Sequence, residues 1–233
     1  MPRNVVARRY HFGIALVSEW WHDGIMSSPA FGFPEGPSVF EFTPGQAALL
    51  ASTGKEILFG GGRGSGITTG LTHWLSQPEG PGYRGLLIKS HRMDVRDMGL
   101  QLRSKGYERL ITAGQPWETY RLKSGGLLSV SFPGRHLDGR KFHRVAIDSA
   151  SEIPNLESLL GLAHNGSIVF GGSPCGVSSD WLKNWFFVEK RGQFIPTGTW
   201  EENPGMAADP SFGRALIETE KDEWIRGDWT KAA

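Results

Sequence analysis

The stretch GGGRGSGITT, residues Gly60–Thr69, decides the fold of this chain. Gly61 and Gly66 occupy the two glycine positions of the pattern G-x-x-x-x-G-K-[ST], and Thr68 occupies its hydroxyl position. This pattern is typical of a loop whose backbone N–H groups surround the phosphates of a nucleotide. The lysine of the pattern is missing, because Ile67 stands in its place. The sequence therefore predicts a phosphate-binding loop without its usual cation.

The segments on either side of the loop support this interpretation. Residues Glu56–Phe59 form a short, mostly apolar run that suits a buried strand, and residues Thr68–Leu75 can begin a helix. A strand, a glycine-rich turn and a helix start together bind anions, because N–H groups and the helix dipole point to one place. Thr68 could also ligate Mg²⁺ through its hydroxyl. The residues expected to hold a nucleotide are Gly61, Gly62, Arg63, Gly64, Ser65, Gly66, Ile67, Thr68 and Thr69.

Composition limits the class of protein. A chain of 233 residues suits one α/β domain, or a domain with a small appendage. With 25 basic and 24 acidic residues, no global field indicates nucleic-acid binding, and basic clusters at 84–105 and 135–144 are interpreted as solvated surfaces. Cys175 is the only cysteine, which excludes an internal disulfide and fits a reducing compartment. No apolar run approaches the roughly 20 residues that cross a membrane, so we expect no membrane contact.

Beyond an N-terminal arm, predicted at residues 1–43, the pattern alternates strands and helices over residues 44–233. Strands are predicted at 56–59, 85–89, 144–148, 167–170 and 193–197, with a hairpin formed by 119–122 and 127–132. Helices are predicted from residue 68 and at 93–105, 156–164, 180–190 and 210–226. This alternation predicts an α/β fold with a mostly parallel central sheet flanked by helices. Ligands of such sheets lie at the carboxyl ends of the strands, where the loop also lies.

A second motif lies about eighty residues after the loop. Residues Arg144–Asp148 form a mostly apolar strand that ends in an aspartate, as in nucleotide hydrolases that hold Mg²⁺ with this residue. The following residue is often a glutamate that activates the attacking water, but here it is Ser149. A serine hydroxyl is not basic enough to replace it near neutral pH. Glu152 could reach the site only if Ala150 and Ser151 begin a helical turn.

With both motifs placed, the chain resembles the ATPase domain of the large terminase subunit, the DNA-packaging motor of tailed phages. The resemblance spans roughly residues 42–229 and includes the arginine inside the loop. Residues Phe42–Gln46 are similar to the family segment in which a glutamine contacts adenine, which implies that role for Gln46. Residues Gly171–Gly176 are similar to its coupling motif, at the positions Gly172, Ser173 and Pro174. The implied fold is a P-loop NTPase of the ASCE type.

The resemblance also implies cofactors and partners. ATP would lie on the loop, with Mg²⁺ held by Thr68 and Asp148. Double-stranded DNA would be the track, and the other partners would be a portal, a small terminase subunit and a separate nuclease, because we expect the chain to end near the ATPase boundary without a nuclease domain. In a homo-oligomeric ring, Arg140 or Arg135 could act as a finger in a neighbouring site. The implied location is the host cytoplasm.

Two departures from the family change the expected activity. Replacing the loop lysine by Ile67 removes charge-assisted hydrogen bonds of about 1.5–3 kcal/mol each, and a lost transition-state donor typically costs about 10²–10³ in rate. Replacing the glutamate by Ser149 removes a general base, at a cost of about 10²–10⁴. Arg63 could supply part of the missing charge, since its guanidinium binds phosphate in bidentate fashion. Weak or absent hydrolysis is therefore expected.

Four interpretations stay open. The chain is a working packaging ATPase that uses Arg63, or a degenerate terminase-like protein that binds nucleotide or a motor partner without turnover. A third possibility is that Ile67 and Ser149 are deliberate substitutions that trap a nucleotide-bound state. In the fourth, the fold serves as a non-catalytic scaffold, regulatory module or DNA-binding module.

Overall fold

The computed structural model describes residues 42–77, 80–110, 116–208 and 226–229. The predicted arm and the helix predicted at 210–226 lie almost wholly outside these ranges. In chain order the elements are α1 (Pro44–Ala51), β1 (Glu56–Gly60), α2 (Ile67–Leu75), β2 (Arg84–Ile88), α3 (Arg92–Ser104), β3 (Glu108–Leu110), β4 (Glu118–Arg121), β5 (Leu127–Ser131), β6 (Phe142–Ile147), β7 (Ala163–Gly172), α4 (Ser179–Lys183), β8 (Gln193–Pro196) and α5 (Pro204–Ala207). Short 3-10 helices lie at Arg135–Leu137, Ala150–Glu152 and Leu156–Leu162, and a π-helix lies at Asn184–Val188.

The strands of the described part of the chain form one sheet in the order β3-β4-β5-β2-β6-β7-β1-β8. Following this spatial order, every neighbouring pair from β5 to the β8 edge is parallel, whereas β3–β4 and β4–β5 are antiparallel. The predicted hairpin is the β4–β5 pair. The α/β class with a mostly parallel sheet is confirmed, and the antiparallel strands form one edge of it. In the described ranges no helix has the length and apolar character needed to cross a membrane.

Strand register brings the two sequence motifs to the same edge of the sheet. β7 lies between β1 and β6, with Gly60 opposite Gly172 and Ile147 opposite Phe170. Because these strands are parallel, their carboxyl ends open on one side, where ligands of such sheets bind. The phosphate loop, which we define as Gly60–Gly66, and the aspartate after β6 therefore lie close together.

The core lies on both faces of the sheet. In β1, Ile57 and Phe59 join one buried cluster and Leu58 joins the other, because successive side chains of a strand point to opposite faces. All three side chains are fully buried. Burial on both faces explains why the parallel strands appear in the sequence as continuous apolar runs and not as an alternating pattern.

Some predicted elements differ from those observed. The helix predicted at 156–164 is a 3-10 helix that ends at Leu162, and β7 begins at Ala163. The helix predicted at 180–190 is α-helical only to Lys183 and continues as the π-helix. Both α1 and the short strand β3 were not predicted. A sequence signal for α1 exists, because Thr43 and Gln46 form a capping box around Pro44 at the first helical turn.

Candidate functional site

Backbone geometry explains the glycines of the phosphate loop. Gly64 and Gly66 have φ angles of 79° and 87°, a left-handed conformation that favours glycine, and Gly66 caps α2. A Cβ atom at Gly61 would collide with the side chain of Thr197 and would lie 2.8 Å from the carbonyl oxygen of Gly198. These three positions therefore accept a larger residue only with a change of the loop.

Buried polar contacts hold the loop from outside. The amide of Gln46 donates to the Gly66 carbonyl at 3.0 Å, and its oxygen accepts from the Thr43 N–H at 3.0 Å. Ser65 and Thr197 share a hydroxyl–hydroxyl bond of 2.6 Å, and the Asn203 amide donates to the Gly64 carbonyl at 2.7 Å. Gln46 thus supports the loop in this structure, whereas the adenine contact implied for it stays a prediction.

A cavity of about 380 Å³ opens between the loop and the end of β6. Most of the predicted site residues line it, namely Gly62, Arg63, Gly64, Gly66, Ile67, Thr68, Thr69, Asp148, Ser149, Gly172 and Ser173. The predicted residues outside this lining are Gln46, Gly61, Ser65, Arg140 and Pro174. The cavity also includes residues not predicted to belong to the site, namely Ser151, Cys175, Asn203 and Met206. Ser151 and Cys175 lie within the acidic and coupling motifs, whereas the sequence around Asn203 and Met206 carries no motif that would have pointed to them.

Both motifs meet at Asp148, whose side chain is almost fully buried. The Thr68 hydroxyl donates to Asp148 Oδ2 at 2.8 Å across a sequence separation of 80 residues. The backbone N–H of Ser149 donates to Oδ1 at 3.0 Å. The structure therefore brings together the pair that was predicted to hold Mg²⁺.

Lys89 is a member of the site that sequence reasoning missed. Its Nζ atom lies 2.5 Å from Asp148 Oδ2, and the exposed fractions of the two side chains are 13% and 4%. Burial alone lowers the pKa of Lys89, but the charge of Asp148 and the hydrogen bond to it, aided by Asp94 and Glu152, outweigh burial and raise the pKa. The interpretation of Lys89 as part of a solvated surface is therefore wrong. The missed signal is its position directly after β2, at the carboxyl edge of the sheet.

This donor set fits a divalent cation poorly as it stands. Mg²⁺ in proteins is held by one or two carboxylates together with phosphate oxygens and waters, and Thr68 and Asp148 could supply such a start. However, the buried ammonium of Lys89 already neutralises Asp148. Among the described residues, no group of three or more His, Cys, Asp or Glu side chains is placed to hold a metal ion.

Ile67 and Ser149, the two positions where catalytic side chains were expected, both line the cavity. Ile67 lies on the cavity wall and packs against the core, with its Cγ2 atom close to Gly171 of β7. Ser149 has a left-handed backbone with φ 56°, and the 3-10 turn Ala150–Glu152 follows it. The Glu152 N–H donates to the Ser149 carbonyl at 2.9 Å, so the helical turn needed to bring Glu152 to the site is present. Glu152 lines the cavity.

Arg140 lies on a separate surface. Its guanidinium stacks on the Trp117 ring at 4.0 Å from the ring centre, and its Nε donates to the His136 carbonyl at 3.0 Å. Arg140 is exposed and could face another subunit, so its role as a finger stays a prediction. Of the residues implied in coupling, Gly172 accepts a hydrogen bond from the Gly61 N–H at 3.3 Å, which links β7 directly to the loop.

No protein-family model and no curated protein matches the chain. Among solved structures, the large terminase from a thermophilic bacteriophage is similar, with a TM-score of 0.56 and 14% sequence identity. The match covers 81% of this chain and 53% of that chain, so this chain spans about half the length of that terminase. This likeness shows the fold, and it confirms the predicted structural resemblance to a large terminase.

Two further large terminases match less closely. The ATPase domain from Thermus phage P74-26 has 15% identity, covering 79% of this chain and 91% of that chain. The HK97 bacteriophage large terminase has 13% identity, covering 76% of this chain and 49% of that chain. The TM-score is 0.48 in both cases.

Proposed function

We propose that this chain is the ATP-binding domain of a terminase-like DNA-packaging motor, with hydrolysis that is weak or absent. The observation that carries the proposal is the cavity between the phosphate loop and Asp148, which has Ile67 and Ser149 on its wall at the two positions where catalytic side chains are expected. The fold, shared with a phage large terminase, supports the same assignment.

Main-chain donors would hold the triphosphate. Helix α2 begins at the cavity with the N–H groups of Ile67, Thr68 and Thr69. These groups have no intrahelical acceptor, and they lie at the N-terminal end of the helix, where the dipole is positive. Arg63 lines the same cavity and would add a permanent charge. The cavity volume of about 380 Å³ lies within the range of small-molecule sites, roughly 300–1,000 Å³. Binding therefore does not require the missing lysine.

Two missing side chains, the loop lysine and the glutamate, would limit hydrolysis. The absence of the loop lysine and the absence of the glutamate would each slow hydrolysis by a factor of about 10²–10³ or more. The two losses need not add. Glu152 is the carboxylate placed to replace the glutamate in part, since it lines the cavity one 3-10 turn after Ser149. We therefore expect residual turnover at most.

The proposal also includes binding to double-stranded DNA and to neighbouring subunits of a ring. Exposed basic side chains such as Arg84, Arg92 and Arg96 could follow a duplex backbone, and Arg140 could reach a neighbouring subunit of a homo-oligomeric ring. Such contacts release counterions, so DNA affinity would fall steeply with salt. A binding assay over a range of salt concentrations measures this slope, and a slope near zero would contradict a backbone track.

The test of the nucleotide proposal combines binding and gain of turnover. Calorimetry with ATP measures binding to the unchanged chain, and an ATPase assay compares it with Ile67→Lys, Ser149→Glu and the double variant. We expect ATP binding, negligible turnover in the unchanged chain, and at least about 10²-fold more in the double variant. Turnover by the unchanged chain at ordinary motor rates would show that the predicted loss of catalysis is wrong.

A non-catalytic scaffold is the second candidate. The closed pair of Lys89 and Asp148 favours it, because an aspartate neutralised by protein needs no metal to be stable. This function predicts a folded double variant that still fails to turn over ATP, which the same assay detects.

A further inference from the structure

We propose that Lys89 is the resident counter-ion of Asp148, and that the cavity therefore binds a nucleoside triphosphate with little dependence on Mg²⁺. This inference rests on the proposed binding of ATP. It concerns the charge that balances Asp148, which in the terminase resemblance was expected to be a divalent cation.

Strand pairing fixes the contact. β2 and β6 are parallel neighbours with Ile88 opposite Ile147, so Lys89 and Asp148 leave the sheet side by side. The Asp148 N–H donates to the Ile88 carbonyl at 2.8 Å, which holds the two backbones at this point. The two side chains then meet at 2.5 Å across a sequence separation of 59 residues. The pair is therefore a consequence of sheet register and not of a flexible surface contact.

The acceptor capacity of Asp148 is nearly used. A carboxylate offers about four lone-pair positions to donors. Oδ1 accepts from the Ser149 N–H, and Oδ2 accepts from both the Thr68 hydroxyl and the Lys89 ammonium. A metal ion that binds Asp148 directly would have to displace one of these donors. It would also lie close to a buried positive charge that repels it.

Burial makes the separation of this pair costly. With 13% and 4% of their side chains exposed, Lys89 and Asp148 are poorly screened by solvent, and separating them would leave an uncompensated buried charge. The phosphates would then be balanced by main-chain donors and Arg63, without a requirement for a metal at Asp148.

Two readouts test the inference. The first is the ATP dissociation constant in EDTA and in excess Mg²⁺, measured by calorimetry. The second is Mn²⁺ binding to the protein without nucleotide, measured by electron paramagnetic resonance of free Mn²⁺. The variants are Lys89→Met, Lys89→Arg and the double variant Lys89→Met/Asp148→Asn, and the matched control is Lys123→Met, at an exposed lysine of the β4–β5 turn.

We expect the unchanged chain, Lys89→Arg and the control to bind ATP within about threefold in the two buffers and to bind Mn²⁺ weakly. Lys89→Met should bind ATP at least about tenfold more tightly with Mg²⁺ than in EDTA, and should bind Mn²⁺ at least about tenfold more tightly than the unchanged chain. If Lys89→Met does not fold, the double variant, which removes both charges, should fold and bind ATP equally in the two buffers.

Three results would overturn one claim or the other. A tenfold preference for Mg²⁺ in the unchanged chain overturns the inference and leaves the proposed ATP binding intact. Equal Mn²⁺ affinity for the unchanged chain and a folded Lys89→Met overturns the role of Lys89 as counter-ion. Absence of ATP binding by every variant in both buffers overturns the proposed function, and the Mn²⁺ measurement still decides the role of Lys89.

Discussion

The phosphate loop and the acidic turn, defined here as Asp148–Glu152, face each other across one cavity, but they differ in what performs their task. The predicted role of the loop depends on its backbone, which buried and partly buried contacts from Gln46, Ser65 and Asn203 support. The predicted role of the acidic turn depends on side chains, and Ser149 stands where a base is expected. Under the proposed function, the loop would keep the geometry that holds phosphate, and the acidic turn would lack the group that helps to cleave it.

We expect the largest effect on ATP affinity and stability when the loop backbone is changed. In Gly61→Ala the new Cβ collides with Thr197, so we expect ATP affinity to fall by about 100-fold and the free energy of unfolding by about 1–3 kcal/mol. Calorimetry and denaturant unfolding measure both. The matched control is Gly161→Ala, where a Cβ meets no atom within 4 Å. Equal ATP affinity of the two variants would contradict a rigid loop.

A smaller effect is expected when the support of the loop is removed. Gln46→Ala deletes the buried hydrogen bonds to the Gly66 carbonyl and from the Thr43 N–H, each of which costs about 1–3 kcal/mol when one partner is left unsatisfied. We expect about tenfold weaker ATP binding and a lower melting temperature. Gln101→Ala on the exposed surface of α3 is the control. If stability falls but affinity does not, Gln46 supports only α1 and the fold.

In contrast to the loop variants, removing a charge from the acidic turn should strengthen ATP binding. Glu152→Gln removes a negative charge from the cavity, so we expect ATP to bind about two- to fivefold more tightly, since unit charges 4 Å apart in water interact by about 1 kcal/mol. Any residual hydrolysis should decrease in the same variant, because the candidate base is lost. Glu157→Gln, at an exposed glutamate, should leave both quantities unchanged. Unchanged affinity in Glu152→Gln would place its carboxylate outside the phosphate field.

The smallest effect concerns pH and the helix that follows the loop. Burial, and then the charge of Lys105, lower the pKa of His73 in α2 below its usual 6.5. The unfolded chain then binds the proton more readily, so this contribution to stability is present above pH 6.5 and decreases as pH falls through the lowered pKa. We expect the melting temperature to decrease less between pH 7.5 and 5.5 in His73→Gln than in the unchanged chain. Parallel curves for the two, with exposed His91→Gln as control, would contradict this assignment.

Much of the fold could be predicted from the sequence because neighbouring residues specify many of its elements. The strand, glycine loop and helix around residues 56–75 are specified by neighbouring residues, and the same holds for the β4–β5 hairpin with its Lys123–Gly126 turn. The errors fall where local pattern is ambiguous. The apolar run after Asn155 suits a helix or a strand, and only pairing with β6 makes β7 begin at Ala163.

The sequence by itself predicted a phosphate loop without its lysine and an acidic strand without its glutamate in one α/β domain, because each motif is a short run whose chemistry depends on residue type and spacing. The tertiary structure alone decided that Lys89 neutralises Asp148. It also decided that Glu152 lines the cavity. The physical reason is that such contacts depend on which strands are neighbours and in what register. Sheet order is set by packing of the whole core, so the residues around positions 89 and 148 indicate two strand ends but not that these strands are neighbours.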